Sequence, residues 1–87
     1  MDNQLRVDKF LWMARVFKTR SISNNACISG KVRINNNKVK PSYKIRVGQV
    51  IYVRRDMVLN QYTVINLPTS RLSPKDVRNY IDDITPE

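Results

Sequence analysis

Between Arg6 and Arg55 the chain places thirteen lysines and arginines against a single acid, Asp8. The chemistry open to such a run is electrostatic: it can neutralise a row of phosphates. From Asp56 onward three bases meet five acids, so the charge is segregated as well as large, and the formal net charge is +9 over 87 residues. A compact domain with that excess repels itself unless a polyanion compensates it. Nucleic-acid binding is therefore favoured over the plainer alternative of a solubilising surface charge.

Catalysis finds no footing. Histidine is absent, which removes the commonest general base and the commonest zinc ligand together. No Gly-rich phosphate loop or nucleophile motif replaces it. Asp82 and Asp83 are adjacent and would point about 100° apart on a helix, a poor shared metal site. Cys27 stands alone, so it forms no internal disulfide and reads as a small buried hydrophobe. A binding module is expected rather than an enzyme, with no cofactor, no metal and no small-molecule substrate. With no signal peptide or long apolar run at the start, the expected location is the cytoplasm, away from membranes.

The elements that must position these cations follow from periodicity. Val7, Phe10, Leu11, Ala14 and Phe17 share one helical face, predicting a helix from about Asp8 to Val16, with Asp8 suited to the dipole at its start. Trp12 lies opposite that face and is expected to be covered by the C-terminal segment rather than to stack on bases. Thr19 caps a second helix that carries Ile22, Ala26 and Cys27 inward and stops at Gly30. Alternation then predicts a hairpin of Lys31 to Ile34 and Lys38 to Lys40 about an Asn36-Asn37 turn, with one cationic face. A third strand spans Val50 to Arg54 and a fourth Gln61 to Leu67, with Asp56 to Asn60 as a loop between them. After a linker from Pro68 to Leu72, Ser73-Pro74-Lys75-Asp76 signals the start of a helix with Val77, Tyr80, Ile81 and Ile84 as its apolar stripe.

Two short helices followed by a cationic hairpin resemble the S4 RNA-binding domain. Five segments match in that family's order: Arg6-Val7-Asp8-Lys9, Lys18-Thr19-Arg20-Ser21, Ser29-Gly30-Lys31-Val32-Arg33-Ile34-Asn35, Val39-Lys40-Pro41-Ser42 and Val47-Gly48-Gln49-Val50-Ile51. Asp8-Lys9-Phe10-Leu11-Trp12, Phe17-Lys18-Thr19-Arg20-Ser21 and the stretch from Tyr80 to Pro86 are more narrowly similar to the stand-alone heat-shock protein 15 family. The resemblance implies an α+β, S4-type (αL) fold: two short N-terminal helices on a small, mostly antiparallel sheet, with a C-terminal helix. It divides the chain into an S4-like unit over 1–67, with its core at about 5–55, and a linker plus C-terminal helix over 68–87 packing on the same domain. It also implies binding to large ribosomal subunits that still hold a nascent chain on tRNA, and help in recycling them. The chain departs from the family pattern at Asn36-Asn37, where Asn-Gly is usual, and at Gln49, where an acid is usual. The long basic C-terminal tail of some members has no counterpart.

On this reading the partners are rRNA, peptidyl-tRNA and the large subunit, and the free protein is a monomer. Arg6, Lys9, Lys18, Arg20, Lys31, Arg33, Lys38 and Lys40 contact phosphates across one concave surface. Thr19 and Ser21 add hydroxyls at the helix start, and Asn35 reads a base or sugar edge. A general rRNA-binding or ribosome-assembly factor would use the same surface. A DNA-binding protein is a weaker alternative, since no helix is rich in base-reading residues.

Overall fold

The computed structural model describes residues 5–86. A two-residue strand β1 (Leu5–Arg6) leads into helices α1 (Val7–Met13) and α2 (Arg20–Ile28). Strands β2 (Val32–Ile34), β3 (Asn37–Lys38), β4 (Lys44–Ile45), β5 (Val50–Arg55), β6 (Val58–Val64) and β7 (Ile81–Asp83) follow, with a single 3-10 turn at Val77–Asn79 before the last. β1 pairs with β4, and the other strands form one antiparallel sheet in the order β3-β2-β5-β6-β7. This is the expected α+β arrangement. Among the described residues no helix is long and apolar enough to cross a membrane.

Val7, Phe10, Leu11 and Ala14 are buried, as their spacing predicts, but α1 stops at Met13 rather than running to Val16. Arg15 takes a left-handed φ of 63°, and the amides of Arg15 and Val16 close back on the carbonyls of Trp12 and Leu11. This is a helix stop usually made by glycine; the strain at Arg15 is offset in part by its Nε donating to the Leu72 carbonyl at 2.7 Å. Gly30, at φ 81°, ends α2 in the same way, with its amide and that of Lys31 bonded to the carbonyls of Cys27 and Ala26. Within α2, Ala26 and Cys27 point inward as expected, whereas Ile22 is 48% exposed and Ser23 occupies the buried position instead. Ser23 fits there because its hydroxyl donates to the Asp8 carbonyl at 2.7 Å, locking α2 onto α1.

The inner face of the sheet sets Val32, Ile34, Ile51, Val53, Tyr62 and Val64 against the helices. Register moves the first hairpin turn: Ile34 pairs with Asn37, so the turn is Asn35-Asn36, at φ 54° and 67°, not Asn36-Asn37. Two positive φ angles in a two-residue connection match the twist of the strands, and Asn tolerates them better than most residues. The expected loop over Asp56 to Asn60 is also shorter. Arg55 pairs with Val58, so only Asp56, at φ 52°, and Met57 turn the chain, and β6 begins earlier than Gln61. Gln49 braces the turn before β5, where its Oε1 accepts the Arg46 amide at 2.7 Å.

The expected C-terminal helix does not form. Ser73 and Asp76 do form a turn, with the Ser73 hydroxyl donating to Asp76 Oδ2 at 2.9 Å, but only Val77–Asn79 coil beyond it. Ile81 then pairs with Val64 and Asp83 with Tyr62. The outer edge of β6 would otherwise leave its amides and carbonyls unpaired, and pairing that edge outweighs a weak helical preference in a β-branched, Asp-rich segment. Leu72 is buried and its amide donates to the Met13 carbonyl, so the linker is tied to the end of α1. Trp12 is half-buried, with its ring 5.3 Å from the Arg71 guanidinium. Its cover comes from the linker, through a cation.

Candidate nucleic-acid interface

The site begins at the start of α2. Thr19 Oγ1 accepts the Ile22 amide at 3.1 Å, which caps the helix and leaves the amides of Arg20 and Ser21, the first two of the helix, without intrahelical partners. Beside them Asp8 is 1% exposed and fully engaged. Arg6 Nε and Nη2 donate to its two oxygens at 3.1 and 3.0 Å, the Lys9 amide at 2.7 Å and Asn24 Nδ2 at 3.1 Å. Burial pushes the Asp8 carboxyl up, but the hydrogen bonds from Asn24 and Arg6, the Arg6 charge and the Lys9 amide together hold it below the ordinary aspartate value. Asp8 is thus the post to which Arg6 and Asn24 are tied. Arg6, Arg20, Ser21, Asn24 and Asn25 line a depression of about 470 Å³ around it.

Asn25 also lines a second depression, of about 550 Å³, with Phe17, Ile22, Lys31, Arg54 and Arg55. Lys31 and Arg54 in turn belong to a third, of about 220 Å³, with Arg33 and Asn36. The expected single concave surface is therefore a track of three hollows linked by shared residues. It carries six cations: Arg6, Arg20, Lys31, Arg54, Arg55 and Arg33. Arg33 is pinned within the hairpin, where its Nε donates to the Gly30 carbonyl at 3.2 Å and its Nη1 to the Asn36 carbonyl at 3.3 Å.

The remaining expected residues do not line these hollows. Lys38 is the cross-strand partner of Arg33, and Asn35 sits exposed in the hairpin turn rather than on the strand. Lys18 and Lys40 are exposed and Lys9 half-buried, and none of the three lines these hollows. Arg54, Arg55, Asn24 and Asn25 escaped the sequence reading. The sequence pattern places Arg54 only as the last residue of a strand, whereas the register of β5 against β2 brings it beside Lys31, its amide bonded to the Lys31 carbonyl at 2.8 Å. Asn24 and Asn25 read only as poor helix formers. Burial, with the Asp8 charge adding to it, pushes the Cys27 thiol up to about 12, so it stays protonated and inert. Among the described residues no group of three or more His, Cys, Asp or Glu could hold a metal ion.

A basic track built on two short helices and a hairpin defines a small polyanion-binding domain of the S4 type. The S4 domain model matches residues 5–51, and the chain belongs to the S4 domain family. A heat shock protein 15 homolog of Haemophilus influenzae is 37% identical over 70 residues, covering 80% of this chain and 53% of the relative. The chain thus spans about half the length of that relative. The RQC P-site tRNA stabilizing factor of Helicobacter pylori strain J99 is 33% identical over 84 residues, covering 95% of this chain and 100% of the relative. Among solved structures, the trimeric heat shock protein 15 of Vibrio cholerae aligns with a TM-score of 0.86 at 29% identity, covering 92% of this chain and 81% of that one.

Proposed function

We propose that this protein binds rRNA and tRNA on the large ribosomal subunit and helps recycle or rescue stalled subunits that still carry a nascent chain on tRNA. The observation that carries this reading is the track of six cations beside two helix-start amides that have no intrahelical partner, an arrangement that presents donors to a phosphate backbone across three linked hollows. The near end-to-end match to a relative named for stabilising P-site tRNA supports the tRNA part of it. Arg20, Lys31 and Arg6 contact phosphates from inside the track, with Ser21 and the Thr19 hydroxyl beside them. Lys9, Lys18, Lys38 and Lys40 steer from its margins, and Asn35 meets a base or sugar edge. The protein acts by binding alone, as a monomer when free, in the cytoplasm, without cofactor or small-molecule substrate. Residues 68–87 belong to the same folding unit as 1–67, a reading supported by the burial of Leu72 and the place of β7 in the sheet.

The test uses salt-washed large subunits, with or without peptidyl-tRNA in the P site, pelleted with the purified protein at physiological salt. Preferential retention on the tRNA-bearing subunits is expected. Equal binding to these subunits and to naked rRNA would favour the general assembly-factor reading instead.

A further inference from the structure

The middle hollow differs from its neighbours in having an apolar floor. Phe17 is half-buried, Ile22 is 48% exposed and Ala26 is a buried residue of α2, while Lys31, Arg54 and Arg55 line the same hollow with Asp56 as its one acid. The Arg55 guanidinium lies 5.3 Å from the centre of the Phe17 ring. What sets Ile22 apart from the other exposed apolar side chains is its place in one hollow with the Phe17 ring and three cations, a grouping that a phosphate contact alone would not call for. A nucleobase needs this combination: a flat or apolar surface for its face and cations within reach of the phosphates on either side. A hollow of about 550 Å³ lies within the size range of small-molecule sites. It also shares Asn25 with one of the other hollows and Lys31 and Arg54 with the other, so it is the link between them.

We propose that this middle hollow takes one unpaired RNA base, stacked on the Arg55 guanidinium and the Phe17 edge against Ile22, with Lys31 and Arg54 on the flanking phosphates. The inference rests on the RNA-binding reading above. It adds that the protein distinguishes RNA with a bulged or single-stranded nucleotide from fully paired RNA, a preference that charge alone does not supply.

The experiment compares two short RNA hairpins identical except for one bulged 2-aminopurine, titrated with the wild-type chain, Arg55→Lys and Phe17→Leu. Arg55→Lys keeps the charge and removes the planar cation; Phe17→Leu keeps apolar bulk and removes the ring. The wild type is expected to bind the bulged hairpin about tenfold more tightly, as loss or gain of one stacked base allows, and to quench the 2-aminopurine. Each variant is expected to bring that ratio towards one, by weakening the bulged hairpin several-fold more than the paired one, whose contacts depend on the charge that Arg55→Lys keeps. A wild-type ratio near one, or a ratio that both variants retain, overturns the stacking site and leaves the RNA-binding reading standing. Failure of the wild type to bind either hairpin overturns that reading and this one with it. If a polyglutamate peptide displaces the bulged hairpin at lower concentration than the paired hairpin does, the hollow belongs to an acidic protein segment and the inference is wrong. Thermal melts of both variants establish that they are folded, and the Arg55→Lys result stands if Phe17→Leu is not.

Discussion

Asp8→Asn probes the post that holds the interface together. The wild-type carboxylate is 1% exposed and accepts four hydrogen bonds, from two Arg6 nitrogens, the Lys9 amide and Asn24. Asparagine can still accept from the Lys9 amide, but it loses the charge facing Arg6 and turns an amide donor towards Arg6 or Asn24. Because the Arg6 side chain is 39% exposed, the ion pair itself is screened, and most of the loss comes from donors left facing a donor. The cost is about 2 kcal/mol, which lowers Tm by roughly 8–16 °C in a domain of this size. Circular dichroism melts over a pH series measure it. Since the folded carboxyl titrates below its ordinary value of 3.8, the folded state binds fewer protons than the unfolded chain between the two values. The stabilisation is therefore present above the ordinary aspartate range and is lost as pH falls through the lowered value. Asp83, held down by the Thr85 hydroxyl and amide, titrates in the same direction in both proteins and cancels in the difference. A Tm for Asp8→Asn within about 2 °C of wild type at neutral pH, or a difference that persists unchanged in strong acid, would refute the assignment.

Three further outcomes are expected. If about five phosphates are neutralised, log K for single-stranded RNA falls with log salt at a slope of about −3.5, and a flat dependence removes the electrostatic account. Arg20→Ala with Lys31→Ala weakens RNA binding by about 2 kcal/mol or more while leaving Tm nearly unchanged, because neither side chain forms a hydrogen bond or ion pair among the described residues; Arg33→Ala, by contrast, lowers Tm because that side chain braces the hairpin. Arg71→Ala shifts Trp12 fluorescence to longer wavelength, whereas deletion from Ser73 onward leaves Arg71 in place and changes stability far more than the Trp12 spectrum.

Much of this fold was legible because its strongest local patterns agree with its tertiary structure. The Val7, Phe10, Leu11, Ala14 spacing, the Thr19 cap and the Gly30 stop all sit where local physics puts them. What escaped was decided at a distance. No pattern reveals that Arg15 will take a glycine's conformation; the Leu72 carbonyl 57 positions away helps to hold it there. The Ser73 to Asp76 signal is genuine, yet the open edge of β6 takes Ile81–Asp83 as a strand. The interface divides the same way. Arg20 and Lys31, singled out from charge beside a cap and a hairpin, line the hollows, while Arg54 and Arg55 join that lining only through strand register.

In the proposed complex ribosomal RNA runs along the α2 start and the Lys31–Arg54 hollows. The most direct measurement is ultraviolet cross-linking of the protein to large subunits, with the attached peptides identified by mass spectrometry. The predicted adducts fall between Arg20 and Asn25, near Lys31 and Arg33, and at Arg54 and Arg55. Cross-links confined to the acidic β7 edge around Asp82 and Asp83 would contradict it.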